Sequence, residues 1–283
     1  MGAALFFTSS NQLAYTWDAD ALAYLAACGI PNDSTIYYLG TPQQRTGAQI
    51  STYLNDMVLS LKAANLWSKF SALYPFLGGT ATTHKFNLIN PANTDSAFRL
   101  SFAGGITHSA TGALPNGSNG YANTHFIPSN NLTRFSSHLA FYSRTDASGG
   151  DDFSVIQDAL NGMRIIIKAL SYSVIDMYSI GNGRLIVDPI ESSTGLFTVT
   201  RTSDVSLKYF KNNNIAASTN VQETGDLPNL PISLFALNIT GALGNYSNRE
   251  CAFASIGDGL TDSETADLYN IVQSFQTSLG RQV

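Results

Sequence analysis

Cys251-Ala-Phe-Ala-Ser-Ile-Gly-Asp-Gly-Leu-Thr-Asp-Ser-Glu-Thr-Ala-Asp-Leu-Tyr-Asn-Ile-Val-Gln-Ser-Phe-Gln-Thr-Ser-Leu-Gly-Arg-Gln-Val283 decides how the chain is read. Its first six residues, Cys251 to Ile256, form an apolar, strand-like run that breaks at Gly257-Asp258-Gly259. Thr261 then opens a helix, and Thr261 with Glu264 has the spacing of a capping box, in which each side chain satisfies a free backbone N–H of the other residue. Leu268, Val272, Phe275 and Leu279 recur at helical spacing, and Gly280 stops the helix where a left-handed residue is wanted. A strand followed directly by an amphipathic helix describes a β-rich body closed by one helix. It contains no reaction centre.

Working outward, residues 80 to 250 carry the same strand texture. Lys85–Ile89, Ala97–Phe102, His138–Arg144, Met163–Ile167, Leu185–Ile190, Leu196–Arg201, Ser206–Lys211 and Ile232–Ile239 read as short strands, many of them alternating. Asn116-Gly117, Asn119-Gly120, Ser148-Gly149-Gly150, Gly181-Asn182-Gly183 and Asn212-Asn213-Asn214 supply turns between them. Short strands at regular spacing predict a mainly β, two-sheet sandwich.

Residues 1–79 read differently, as an N-terminal arm and helical segment ahead of a sandwich over residues 80–283. Asp18 is placed to cap a helix through Leu22, Leu25 and Ala26 that ends at Gly29 and Pro31. A second helix is expected to start at Thr41-Pro42, with Ile50, Tyr53, Leu54, Met57, Val58 and Leu61 on one face and Trp67 and Phe70 extending it. That face is expected to pack on the rest of the fold. The apolar arm Ala3 to Phe7 is a candidate anchor to a neighbouring protein by strand addition or burial.

Composition narrows the function classes. Of 283 residues, 44% are hydrophobic and 12% charged, against roughly 25% charged in ordinary soluble chains, so the polar surface is built from Ser, Thr, Asn, Gln and Gly. The net charge is −5 and no basic run occurs, which argues against a nucleic-acid partner. No apolar run reaches the ~20 residues of a membrane span, and the start lacks the pattern of a secretory signal. Cys28 and Cys251, one in a helical and one in a strand-like run, read as two buried free thiols, consistent with synthesis in a reducing cytosol.

Catalytic patterns are missing. Glutamates occur only at 191, 223, 250 and 264, and none sits in the paired-carboxylate spacing that glycoside hydrolysis needs on one strand. Asp151-Asp152 is a paired-acid candidate, better read as a solvated loop after Gly149-Gly150. The four histidines are too widely spaced for a local zinc motif, and there is no nucleophile elbow or phosphate loop. No cofactor is expected apart from Ca²⁺ as a candidate, for which Asp146, Asp151 and Asp152 offer hard oxygens. Five sequons, at Asn32, Asn116, Asn131, Asn238 and Asn245, are chance matches in a chain rich in Asn, Ser and Thr.

The remaining candidate is the stretch from Gly104 to Asn123. His108, Asn116, Asn119, Tyr121 and Asn123 bring amides, a ring nitrogen and an aromatic face, the groups that pair with sugar hydroxyls and stack on a sugar ring. The competing reading is a turn-rich loop organised by its own Asn and Gly residues.

Several blocks resemble one family. Ala252 to Thr261 with the helix after it, Leu61 to Lys69, Tyr74 to Leu88 and His108 to Gly117 are similar to virion proteins of tailed bacteriophages. The body also resembles the concanavalin A-like (laminin-G-like) jelly roll, in which a Tyr-x-Asn-Gly type of turn is common; Tyr209-Phe210-Lys211-Asn212-Asn213-Asn214 is similar, with Asn in place of the Gly. The resemblance implies a non-enzymatic structural accessory protein of the virion, on tail, baseplate or capsid, made in the host cytoplasm. It implies other virion proteins as partners, a homo-oligomer in the particle, and weak adhesion to host-surface glycans. The alternative is a dedicated host-receptor or carbohydrate-binding module of a tail fibre. A polysaccharide depolymerase is the third reading and requires two acids in one cleft.

Overall fold

The computed structural model describes residues 16–33, 36–38 and 44–283. The expected arm Ala3 to Phe7 and the expected helix start at Thr41-Pro42 lie outside them. The chain begins with helix α1 (Ala19–Cys28), strands β1 (Ile36–Tyr38) and β2 (Gln44–Thr46), helix α2 (Gly47–Ala63), strand β3 (Phe70–Tyr74) and helix α3 (Ala81–His84). Next come β4 (Ser101–Ala103), β5 (Ile106–Ser109), β6 (Gly112–Pro115), β7 (Tyr121–Asn123), helix α4 (Pro128–Asn131) and β8 (Ser137–Ser143). They are followed by β9 (Phe153–Asp158), β10 (Asn161–Ile166), β11 (Ser173–Tyr178), β12 (Leu185–Val187), β13 (Gly195–Ser203), β14 (Ser206–Lys211) and β15 (Asn214–Thr219). The last elements are β16 (Ser233–Leu234), β17 (Leu237–Ile239), β18 (Ala242–Gly244), β19 (Cys251–Gly257) and helix α5 (Asp262–Leu279).

Two sheets face each other, as the strand texture predicts. One runs β15-β14-β13-β8-β19-β6-β5, with β3 also paired to β19. The other runs β12-β11-β10-β9-β16-β7-β4, with β17 added parallel to β9 and β18 hydrogen-bonded to β17. Between them lies the main core, including Phe141, Phe153, Ile165, Ile175, Phe197, Val199, Leu234 and Ile256.

The two outer faces differ. Helices α1, α2 and α5 cover the outside of the β8–β19 sheet and form a second core there. Leu54, Val58, Leu61, Leu268, Val272 and Phe275 pack on Ala140, Tyr142, Leu196 and Phe253. Strands β8 and β19 are therefore buried along their whole length. The first 79 residues contribute directly to this sheet, since Phe70–Tyr74 pairs with β19 from Ala254↔Tyr74 to Gly257↔Phe70.

The helix signals are realised as local chemistry. In α5 the Glu264 N–H donates to Thr261 Oγ1 at 3.3 Å, and the Thr261 N–H donates to Glu264 Oε2 at 2.8 Å. Gly280 takes the left-handed conformation at φ 71°, and the Arg281 N–H returns to the Gln276 carbonyl. Asp18 caps α1, and Gly29 closes it at φ 64°. Helix α2 begins at Gly47, capped by Thr46 reciprocally with Gln49, and ends at Ala63. Phe70, expected on that helix, opens β3 instead, because the chain reverses through a 3-10 turn at Trp67–Lys69.

Two expected strands are not strands. Lys85–Ile89 lies alongside β3 without pairing as a ladder: Asn87 inserts its side chain, whose Oδ1 accepts from the Leu73 N–H at 2.9 Å and whose Nδ2 donates to the Ala97 carbonyl at 3.1 Å. Over Ala97–Phe102 the chain first makes a 3-10 turn at Asp95–Ala97 and a left-handed step at Phe98, φ 59°, so that only Ser101 and Phe102 of that run enter a strand. Conversely, Gly104–Asn123 is not simply a loop. It holds β5, β6 and β7, three- and four-residue strands set by sheet pairing rather than propensity. The Ile232–Ile239 run is split by Phe235 at φ 69° into β16 and β17. At the β14–β15 hairpin, Asn212 adopts φ 58°, a left-handed geometry that Asn tolerates.

Candidate functional site

The structure separates the five residues of the Gly104–Asn123 stretch into three environments. His108 faces inward. On β5, Ile106 and His108 share one face because side chains alternate, and that face is the packed one. The His108 ring lies edge-on to Phe102 with centroids 4.5 Å apart, and its Nδ1 is 3.0 Å from Nδ1 of buried His84. His84 Nε2 accepts from the Gly79 N–H, so the proton sits on its Nδ1 and His108 Nδ1 accepts it. Burial pulls both imidazoles below the ordinary histidine range. His108 is therefore withdrawn from the sugar-facing set.

Asn116 and Asn119 are exposed, and their amide oxygens are spent on the loop itself. Asn116 Oδ1 accepts from the N–H groups of Ser118, Asn119 and Gly120 at 3.0–3.2 Å, while its Nδ2 donates to Asn119 Oδ1. That same oxygen takes the Gly105 N–H at 2.9 Å. Gly104 is required here: φ is 69° and a Cβ would collide with the Asn119 carbonyl. The turn-rich-loop reading holds for these two amides.

Tyr121 and Asn123 differ in placement, half-buried on a strand rather than exposed in a turn. On β7, Ala122 points into the main core, so Tyr121 and Asn123 point out from the uncovered sheet. They line a cleft of about 270 Å³ with Pro231, Ser233, Asn238, Gly241 and Leu243, contributed by β16 and the β17–β18 hairpin. The cleft exists because β17 turns away at Phe235 and pairs parallel to β9, which carries the hairpin alongside β7. Asn238 braces the wall: its Nδ2 donates to the Pro231 carbonyl at 2.7 Å and its Oδ1 accepts from the Gly241 N–H at 3.1 Å.

The orientation of the Asn123 amide is fixed. Its Oδ1 accepts from the His125 N–H at 2.8 Å, holding His125 at φ 57°, which leaves both Nδ2 hydrogens without a partner among the described residues. The Tyr121 and Ser233 hydroxyls likewise make no hydrogen bond among the described residues. A ring, an amide donor and two hydroxyls thus converge on one neutral concavity. Nothing in local spacing announces Ser233 or Leu243, which lie more than a hundred positions from β7.

The acids are used structurally. Asp151 and Asp152 do not form a solvated loop: both are fully buried. Asp151 takes a bidentate Arg164 at 2.7 and 3.1 Å and the Ser154 hydroxyl; Asp152 takes a bidentate Arg249 at 2.7 Å. Asp146 accepts from the Ser193 N–H and Lys168, which hold its carboxyl down at about 2. Asp151 and Asp152 commit both carboxylate oxygens to protein donors and Asp146 commits its Oδ1, and no group of three or more His, Cys, Asp or Glu placed to hold a metal occurs among the described residues. A second cleft, about 250 Å³ between α2 and α5, has Asp56 as its one acidic lining residue, and the Tyr121 cleft has none. Both cysteines are free and buried, and burial pushes the Cys28 thiol up to about 12. No helix among the described residues is long and apolar enough to cross a membrane.

No family model and no curated protein matches this chain. Among solved structures it is similar to the CBM40 domain of a Ruminococcus gnavus sialidase bound to α2,3-sialyllactose, at 11% identity and TM-score 0.41, covering 51% of this chain and 86% of that one. It is also similar to domain 4 of an extracellular GH43 arabinanase from Geobacillus stearothermophilus in complex with arabinotriose, at 13% identity and TM-score 0.45, covering 71% and 98%. A structure of botulinum neurotoxin type C, described as depending on two ganglioside molecules for cell entry, matches at 14% identity and TM-score 0.46, covering 75% of this chain and 53% of that one.

Proposed function

We propose that this chain is a non-catalytic carbohydrate-binding module whose ligand enters the cleft between β7 and the β17–β18 hairpin. The observation that carries the reading is the convergence of Tyr121 with the unpartnered Asn123 Nδ2 and Ser233 hydroxyl on the one sheet face that no helix covers. Sugar sites combine an aromatic wall with amide and hydroxyl partners for ring hydroxyls. A glycan array probed with the full chain and with Tyr121→Ala and Asn123→Ala tests it. Binding lost in both variants is expected; binding that survives both would move the site elsewhere, and no binding by the parent chain would overturn the function.

The resemblance of Ala252–Thr261 and the other blocks supports display on a tailed-phage particle as the setting, with other virion proteins and further copies of this chain as partners. Mass spectrometry of purified particles tests the setting separately. Particles lacking the chain would remove the virion role and leave the cleft untouched.

A further inference from the structure

We infer that the cleft selects a single uncharged sugar ring and rejects sugars bearing a carboxylate, an inference that rests on the carbohydrate-binding reading above. Of its seven lining residues none carries a formal charge at neutral pH. The nearby charges are committed elsewhere. On the β4 side, Asp95 holds Arg99 at 2.8 Å and lies 3.5 Å from His125, whose Nε2 is 2.7 Å from the Ser101 hydroxyl. On the β9 side, the row that pairs Asn123 with Ser233, Ser233 with Ser154 and Ser154 with Arg164 reaches Arg164 two strands beyond Ser233, with backbones roughly 10 Å apart. The Arg164 guanidinium already holds Asp151 in bidentate geometry.

An anionic substituent in the cleft would therefore exchange water for amide and hydroxyl donors with no free counter-charge, and desolvating an unpaired carboxylate is unfavourable. The chain's net charge of −5 adds long-range repulsion. Neutral hydroxyls meet the opposite situation. Each both donates and accepts, and matches the Asn123 amide and the Ser233 and Tyr121 hydroxyls, while Tyr121, Pro231 and Leu243 offer an apolar surface to the ring's C–H face. The volume, about 270 Å³, lies below the roughly 300–1,000 Å³ of drug-sized ligand sites and suits one ring at a chain end.

The test is an array of matched glycans, each neutral terminus printed beside the same glycan capped with sialic acid or a uronic acid, read with the full chain and with Tyr121→Ala. The expected result is retention of neutral termini, loss of roughly tenfold or more on acidic capping, and loss of the signal in Tyr121→Ala. For the best neutral hit, calorimetry between about 0.05 and 0.5 M NaCl should show an affinity change below about twofold, since no charge pair is screened. Capped glycans bound as well or better, and lost in Tyr121→Ala, would overturn the uncharged-ligand inference while leaving the module reading intact. Retention of neither kind would overturn both.

Discussion

The two sheets of this sandwich are built by the same strand physics yet meet the solvent differently. Outside β8 and β19 lie His138, Ala140 and Tyr142 and, across a bulge in β19, the consecutive Ala252 and Phe253, all buried on the side that the helices cover. Outside the β9–β7 sheet the corresponding row is Ser101, Asn123, Ser233, Ser154, Arg164 and Asp176, with no helix over it. The covered face shuts its polar groups away from water: His138 donates from Nδ1 to the Asp258 carbonyl and accepts on Nε2 from Ser255, while the hydroxyls of Tyr24, Ser51 and Thr198 are buried without a hydrogen-bond partner among the described residues. On the uncovered face the unpartnered Asn123 Nδ2 lines an open cleft, where it remains accessible. The second hydrophobic core lies on one side of the molecule and the open cleft on the other.

The contrast is tested most severely on the covered side. Leu268, fully buried between α5 and the sheet, should cost about 2–5 kcal/mol when replaced by Ala, measured by urea denaturation. A loss near zero would mean the helices are not part of one cooperative unit with the sandwich.

Acid should act on the same side. Burial lowers His138 to about 4. A histidine whose native value lies below its unfolded one binds fewer protons when folded, so stability is full above roughly pH 6.5 and falls as the pH drops towards 4, by up to roughly 3 kcal/mol. Urea midpoints should fall between pH 7 and 4.5, and His138→Gln should flatten that slope; an unchanged slope would contradict the assignment.

Within the Gly104–Asn123 stretch the comparison sharpens. Asn116→Ala removes the acceptor of three backbone N–H groups and should cost about 1 kcal/mol, with any glycan binding unchanged in calorimetry. Tyr121→Ala should leave stability within about 0.5 kcal/mol while abolishing glycan binding. If the two variants exchanged these phenotypes, the loop rather than the cleft would be the recognition surface.

This stretch also shows how far a sequence can be read. Asn, Gly and Tyr at 116–123 correctly mark a polar surface, but their composition does not distinguish an amide whose oxygen is filled by three neighbouring N–H groups from one whose hydrogens are free. His108 looks exposed beside Thr107 and Ser109, yet strand alternation on β5 turns it towards His84, twenty-four residues earlier. Asp151-Asp152 reads as a hydrophilic turn after two glycines and becomes a fully buried acid pair, because Arg164 of β10 and Arg249, from the segment just before β19, neutralise it.

What the sequence by itself determined is what short-range physics dictates: the capping box at Thr261 and Glu264, the apolar stripe of α5, the Gly29 and Gly280 stops and the alternation that requires a sandwich. These depend on groups within a few residues of one another. The tertiary structure alone decided which face the helices cover, that Phe70–Tyr74 joins the sheet, and that Ser233, Asn238 and Leu243 close a cleft over Tyr121 and Asn123. Those outcomes depend on sheet register and on a chain reversal at Phe235 that brings together residues over a hundred positions apart, and no local pattern encodes such a meeting.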